Sequence, residues 1–344
     1  MKSKFLALLF FIIFTINCAQ AQYDEISNRY FSIFMPEKLK DFYSAEIKKD
    51  SIMIYHNDSK EKGFGGFVFG YKVYKNPKHH AMMPGSRKVG ELQTVFKVKY
   101  DMVLIQPTDV QYDYTKKEPK SYKELYDLAQ NIEIKPKGKS TFDKNQGTKG
   151  ELLYKKVLNK HISAIEKKWD SKKLEKNNMS YMYNVLSKTN DNVLDKIGYT
   201  FYDTNADGID ELLIGEIADG EWKGVIYDIY TMVNRKPRHV VSGGTRDRYY
   251  ICDDVFICRE YLQGAKEHGW LIYILLENST ELFPQLGFKY DGYKNEKSPW
   301  FITYDIENDS SWENVSKKAY DKRKKVFNKY ERFNYIPLSK FERK

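Results

Sequence analysis

The sequence predicts an α+β protein of two domains, each a mainly antiparallel sheet packed with helices. Short segments rich in aromatic and β-branched residues alternate or run apolar between turn signals, a few stretches show helical spacing among them, and one polar, glycine-bearing stretch divides the chain. With 344 residues, 41% of them hydrophobic and 15% aromatic, the chain can fill two cores, and wholesale disorder is excluded.

The elements follow in order. Met1 to Ala21 has Lys2 and Lys4 in front, an apolar run from Phe5 to Ile16 and a small-x-small Ala19-Gln20-Ala21 site, which together predict a cleaved export signal. The apolar run is shorter than the roughly 20 residues that span a bilayer, and nothing later is long enough, so the mature chain is expected without a transmembrane segment, secreted or periplasmic. The alternative is a lipoprotein anchored through Cys18, although Thr15 and Asn17 depart from the usual residues around such a cysteine.

A first domain is expected over residues 23–134. Its strands are read at Phe31 to Phe34, Tyr43 to Ile47, Ser51 to Tyr55, Phe67 to Tyr74 and Tyr100 to Ile105. A helix from Ser121 to Ile132 follows, with Ser121 and Glu124 as a capping box and Leu125, Leu128, Ala129 and Ile132 on one face. Residues 135–150 read as a linker.

The second domain, residues 151–344, opens with a helical stretch from Leu152 to Leu174 and a short helix from Met179 to Leu186. Strands follow at Ile197 to Tyr202, Leu212 to Gly215, Gly224 to Val233, around Cys252 and Cys258, and at Trp270 to Leu276. A final helix is expected from Trp312 to Tyr330.

Between the first two of these strands lies Asp203-Thr204-Asn205-Ala206-Asp207-Gly208-Ile209-Asp210-Glu211. Oxygen ligands at alternate positions, followed by a glycine suited to a tight turn, have the spacing of a Ca²⁺ loop. Asp203, Asn205 and Asp207 stand at positions one, three and five, Ile209 offers its carbonyl, and Glu211 stands at position nine. A helical EF-hand needs a bidentate Glu at position twelve, where this chain has Ile214, so the loop is expected to join two strands.

These residues, with Gly198-Tyr199 ahead and Val225 to Thr231 behind, resemble a family of exported, largely uncharacterised bacterial proteins carrying a single calcium-type hairpin loop. Gly63 to Phe69 and Tyr100 to Leu104 look like the α+β companion domain found in front of that loop. The resemblance implies export and cation binding, and it implies no reaction. The loop is also similar to the repeated loop of integrin-type propellers, but one copy occurs here and a propeller needs a repeat.

Cys252 and Cys258 flank an acidic turn, leaving two readings, a disulfide across a hairpin or two buried free thiols. Ser242-Gly243-Gly244-Thr245-Arg246-Asp247-Arg248 offers Arg246 and Arg248 beside a Gly-Gly turn, either as a weak anion site or as solvated charge. His79-His80 reads as an exposed loop pair that could take a surface metal. No His-Glu-x-x-His, Cys/His zinc spacing, Gly-x-Ser-x-Gly elbow or Walker loop occurs.

The formal charge is +10, and Lys317 to Lys344 holds eleven basic residues against three acids. That tail is suited to an anionic cell-surface polymer or another envelope protein, while the excess of Lys over Arg speaks against specific nucleic-acid recognition. The leading expectation is an exported, non-catalytic protein with a structural Ca²⁺ site. The alternative is a cell-wall or glycan hydrolase using Glu216, Asp219, Glu221, Asp253, Asp254, Glu260 and Glu277, since glycosidases need two facing carboxylates.

Overall fold

The computed structural model describes residues 23–343 apart from 82 and 189–191, and the molecule is an α+β protein built on antiparallel sheets. The export segment and Cys18 lie outside the described residues. Among those described, no helix is long and apolar enough to cross a membrane.

The first half of the chain contains β1 (Tyr23–Ser27), β2 (Phe31–Pro36), β3 (Tyr43–Lys48), β4 (Ser51–His56), α1 (Asn57–Glu61), β5 (Phe67–Tyr74), β6 (Ser86–Gln93) and β7 (Lys99–Ile105). Helix α2 (Lys120–Leu128) follows, then β8 (Ile134–Pro136) and β9 (Thr141–Lys144). Six strands run in the order β3-β4-β5-β7-β6-β9, and β1-β2-β8 form a smaller sheet. Period-two alternation places Ile52 and Ile54, Phe69 and Tyr71, and Met102 and Leu104 in one core, which Tyr122 and Leu125 of α2 cover. Each such side chain contributes about 1.5–3 kcal/mol through burial.

Two expectations change here. The stretch 135–150 is not a free linker: β8 adds to the edge of β2 and β9 to the edge of β6. Edge pairing is made by the main chain and needs no apolar periodicity, so composition does not reveal it. The expected capping box is also absent, because Pro119 stands at the N-cap and the Ser121 hydroxyl instead meets His56 Nε2 at 2.8 Å.

The second half opens with α3 (Glu151–Glu166), α4 (Ser171–Lys176), α5 (Met182–Ser187) and α6 (Val193–Lys196). The expected single helix breaks at Lys168, whose φ is 48°, and Asp170 caps the next helix by accepting from the Lys173 amide at 2.8 Å. Strands β10 (Ile197–Tyr202), β11 (Glu211–Glu216), β12 (Ile226–Val233), β13 (Lys236–Ser242), β14 (Asp247–Cys252), β15 (Phe256–Gly264) and β16 (Glu267–Leu275) follow. The chain ends with β17 (Leu282–Asp291), β18 (Trp300–Thr303), β19 (Glu313–Asn314), α7 (Lys317–Lys324) and β20 (Ile336–Pro337).

Eleven strands form one sheet in the order β19-β18-β17-β16-β15-β14-β12-β11-β10-β20, with β13 paired to β12 beside that path. Helices α3 to α6 pack Tyr154, Leu158, Ile162 and Tyr183 against Tyr199, Leu212 and Tyr227 of the central strands. The final helix is shorter than expected because the chain straightens after it: Tyr330 bridges to Cys252, and the Glu331 amide donates to the Ile251 carbonyl at 2.9 Å. In the cysteine hairpin, Cys252 faces Phe256 and Cys258 faces Tyr250, so the two sulfurs are diagonal neighbours and both thiols are free and buried.

Candidate metal centre

Strands β10 and β11 pair from Ile197–Glu216 to Tyr202–Glu211, and the register closes the hairpin at the foot of the acidic loop. Inside the loop, Asp203 Oδ2 accepts from the Gly208 amide at 2.9 Å, Asn205 Oδ1 from the Asp207 amide at 3.2 Å, and Asp207 Oδ1 from the Ile209 amide at 2.8 Å. Ala206 and Gly208 take φ values of 58° and 86°, which wrap the loop on itself. Gly208 is required a second time, since a Cβ there would stand 2.3 Å from the Lys88 carbonyl oxygen of β6.

Glu211 is held by hydrogen bonds of its own. Its carboxyl is fully buried, with one oxygen held by the Thr204 amide and hydroxyl at 2.8 and 2.7 Å and the other by the Thr231 hydroxyl at 2.9 Å. It clamps the loop to β12. Glu277, which follows β16, lies near enough for its charge to act on Asp207 and for Asp203 to act on it. Burial, then repulsion from Asp203, raises Glu277 to about 7, and burial with the Asp203 charge raises Asp207 to about 8. Asp203 is raised mainly by burial, and Glu211 by burial and then by Asp207.

Among the buried carboxyl oxygens without a hydrogen-bond partner, two belong to this group of acids, Asp203 Oδ1 and Glu277 Oε2. Such groups need a proton or a cation. Three carboxylates and a carboxamide form a hard oxygen set of the type that Ca²⁺ takes, so the residues fit the ion chemically. Among the described residues, no three His, Cys, Asp or Glu side chains are drawn together into a finished cage.

The loop also sits at the junction of the two halves. The Asp207 carbonyl accepts from the Lys88 amide of β6 at 2.7 Å, and the Asp210 amide donates to the Thr148 carbonyl at 2.7 Å. Arg235, in the β12–β13 turn, reaches Asp101 of β7 with Nη2 at 2.9 Å and Nε at 3.2 Å.

The other candidate residues lie apart. Glu216 accepts from the Tyr227 hydroxyl, Asp254 pairs with Lys329 at 3.2 Å, and Glu260 accepts from Trp270 Nε1 at 3.1 Å and the Tyr330 hydroxyl at 2.9 Å. Asp219 and Glu221 are exposed, and Asp253 lies in the cysteine hairpin turn. The Gly-Gly turn is no anion nest, because the Gly243 and Gly244 amides donate to the Tyr227 and Asp247 carbonyls at 2.7 and 2.6 Å. Arg246 is exposed and Arg248 lies over the Trp222 ring at 3.5 Å. His79 is exposed as expected, but His80 is buried against Tyr74 and Asp101.

A polar hub in the second half has no counterpart among the expected residues. Asp228 of β12 is fully buried; it accepts from the Ser180 amide at 3.2 Å and from the Tyr183 and Ser242 hydroxyls, and it faces His161 Nε2 at 3.3 Å and His239 Nε2 at 3.5 Å. The available signal was a lone Asp inside the apolar run from Val225 to Val233.

Burial alone would raise Asp228 and Asp101. The histidine bonds on Asp228, and His80, Lys88 and Arg235 around Asp101, bring each down to about 2. Both values lie below the ordinary 3.8, so the stabilisation is complete above that pH and is lost as the pH falls from 3.8 towards 2. Each group should cost about 2 kcal/mol across that window. The loop carboxyls act in the opposite sense: Asp207 and Glu277 hold their protons more tightly in the folded chain. In chelator, stability should therefore rise as the pH falls from about 8 to about 4, then drop below it. Urea midpoints across this range test both limbs, and a flat profile contradicts them.

Comparison with family models, curated proteins and solved structures finds no match to the chain.

Proposed function

We propose that this is an exported, non-catalytic binding protein whose acidic loop takes one Ca²⁺ and thereby fixes the junction between its two domains. The observation that carries the reading is a pair of buried, unpartnered oxygens, Asp203 Oδ1 and Glu277 Oε2, near Asp207 of the loop whose main chain bonds to β6. Asp203, Asn205, Asp207 and Glu277 would hold the ion with the Ile209 carbonyl, while Glu211 keeps the loop on β12. Ca²⁺ supplies the positive charge that lets these carboxyls ionise inside the fold.

The rest of the reading is binding of envelope or extracellular material. Its support is the export-type leader and the basic stretch after Lys317, which suits an anionic polymer. The hydrolase alternative draws less support, because Glu216, Asp254 and Glu260 are each bonded to a different partner and Asp219 and Glu221 are exposed.

Calorimetric titration of chelator-stripped protein tests the ion. One Ca²⁺ per chain is expected, with Mg²⁺ weaker because the site is built from protein oxygens rather than water. Glu277→Gln should weaken Ca²⁺ about tenfold or more, at 1.4 kcal/mol per decade. The absence of saturable heat with Ca²⁺ would overturn the proposal.

A further inference from the structure

In the second half of the chain, α3, the α4–α5 turn and β13 enclose an open basin of about 580 Å³, a size that small ligands fill. Three cations converge on it from two elements. Lys156 and Lys160 stand one helical turn apart on α3, and Arg238 comes from β13. Among the described residues, no carboxylate lines this basin and none pairs with Lys156, Lys160 or Arg238; Lys160 Nζ donates to the Asn177 carbonyl at 3.4 Å. The floor is fixed: Tyr230 is buried, its hydroxyl donates to the Asn178 carbonyl at 2.9 Å, and the His239 ring packs edge-on to it at 5.1 Å. Like charges gathered over a floor of low dielectric repel one another and concentrate their field, and a bound anion relieves both.

A second basin of about 460 Å³ adjoins the first, the two sharing Asn178 and His239. Its character differs. Asp247 is paired there with Arg259, whose Nε donates at 2.7 Å, so Glu175 is its remaining acid. Across both basins the three cations therefore outnumber Glu175, and an excess of positive charge remains. Tyr181 is packed on Gly244, where a Cβ would come 2.5 Å from the phenol oxygen, and the Thr245 amide donates to that oxygen at 2.9 Å. A fixed aromatic ring in one basin with Glu175 and Asn178 offers a flat apolar face and hydrogen-bonding groups, which are what a sugar ring requires.

We propose that this double basin binds a phosphorylated sugar, its phosphate against Lys156, Lys160 and Arg238 and its ring against Tyr181, Asn178 and Glu175. Two lysines and an arginine match a phosphate of charge near −2 better than a singly charged carboxylate. The proposal rests on the reading of the protein as a binder of anionic envelope material, and it names the site and the group recognised.

Calorimetry with glucose 6-phosphate on the full mature chain at low salt tests it, with glucose, glucuronate and inorganic phosphate as comparison probes. Glucose 6-phosphate should bind at least about tenfold more tightly than each of the three. Lys156→Gln and Arg238→Gln alter exposed side chains and should leave the unliganded thermal midpoint unchanged, while each weakens the sugar phosphate about tenfold; Lys322→Gln, on the exposed face of α7, should not weaken it. No binding at about 10 mM, any comparison probe binding as tightly, or undiminished binding by both basin variants would each overturn the proposal. Retention on immobilised polyphosphate separates this site from the wider reading. Retention that both basin variants keep in full overturns the site alone, and no retention of the wild type overturns the binding reading with it.

Discussion

Asp228→Ala should destabilise the protein by about 3–5 kcal/mol, the cost of breaking a buried charged network by removing one partner. The loss has named sources. His161, His239, the Ser180 amide and the Tyr183 and Ser242 hydroxyls all converge on this carboxylate, so its removal leaves several buried polar groups unsatisfied at once. It ties β12 and the end of β13 to α3, α5 and the Ser180 turn. The urea midpoint should fall accordingly, with Asp228→Asn falling less because a carboxamide oxygen still accepts. Asp254→Ala, which removes an exposed partner of Lys329, should change the midpoint little. Equal loss at Asp228 and Asp254 would mean the hub does not hold the domain together.

Gly208→Ala should cost about 2–4 kcal/mol, from backbone strain and from a lost contact between the domains. The new Cβ would meet the Lys88 carbonyl at 2.3 Å at a φ of 86°, and backbone cannot swing aside as a side chain can. The loop must then lift from β6, breaking the bond from the Lys88 amide to the Asp207 carbonyl. Gly150→Ala separates the two causes: its φ is 82° but nothing lies within 4 Å, so it carries the strain alone, about 1 kcal/mol. The thermal midpoint should order wild type, Gly150→Ala, Gly208→Ala from highest to lowest. A Gly208→Ala protein no less stable than Gly150→Ala would show that the loop does not bear on the first domain.

Local pattern made parts of this molecule readable from sequence. Phe67 to Tyr74 forms a strand with the bounds its alternation indicates, and the Asp203 to Glu211 hairpin follows from spacing within nine residues. Strand β6 escaped notice because its inward residues include Lys88 and Glu91, buried as an ion pair under the second domain, so it lacks the apolar alternation of a half-buried strand. His80 was misread as exposed for a related reason, since Asp101 and Tyr74 bury it from other strands. Glu277 and Thr231 come to the loop from distant segments. Spacing shows Glu211 at position nine of the loop, but not its bonds to Thr204 and Thr231, nor that Glu277 comes within reach of the Asp203 charge.

The thermal midpoint of wild type and Asp207→Asn, each with chelator and with saturating Ca²⁺ near pH 7.5, is the most direct test. Asp207 and its acidic neighbours oppose one another without a cation, so wild type should rise by several degrees on adding Ca²⁺, about 2.7 kcal/mol at a hundredfold excess over Kd. Asp207→Asn removes a carboxyl that the ion-free fold disfavours in its charged form, so the variant should start above wild type in chelator yet respond little to Ca²⁺. A wild-type midpoint unmoved by millimolar Ca²⁺ would contradict the calcium-bound junction.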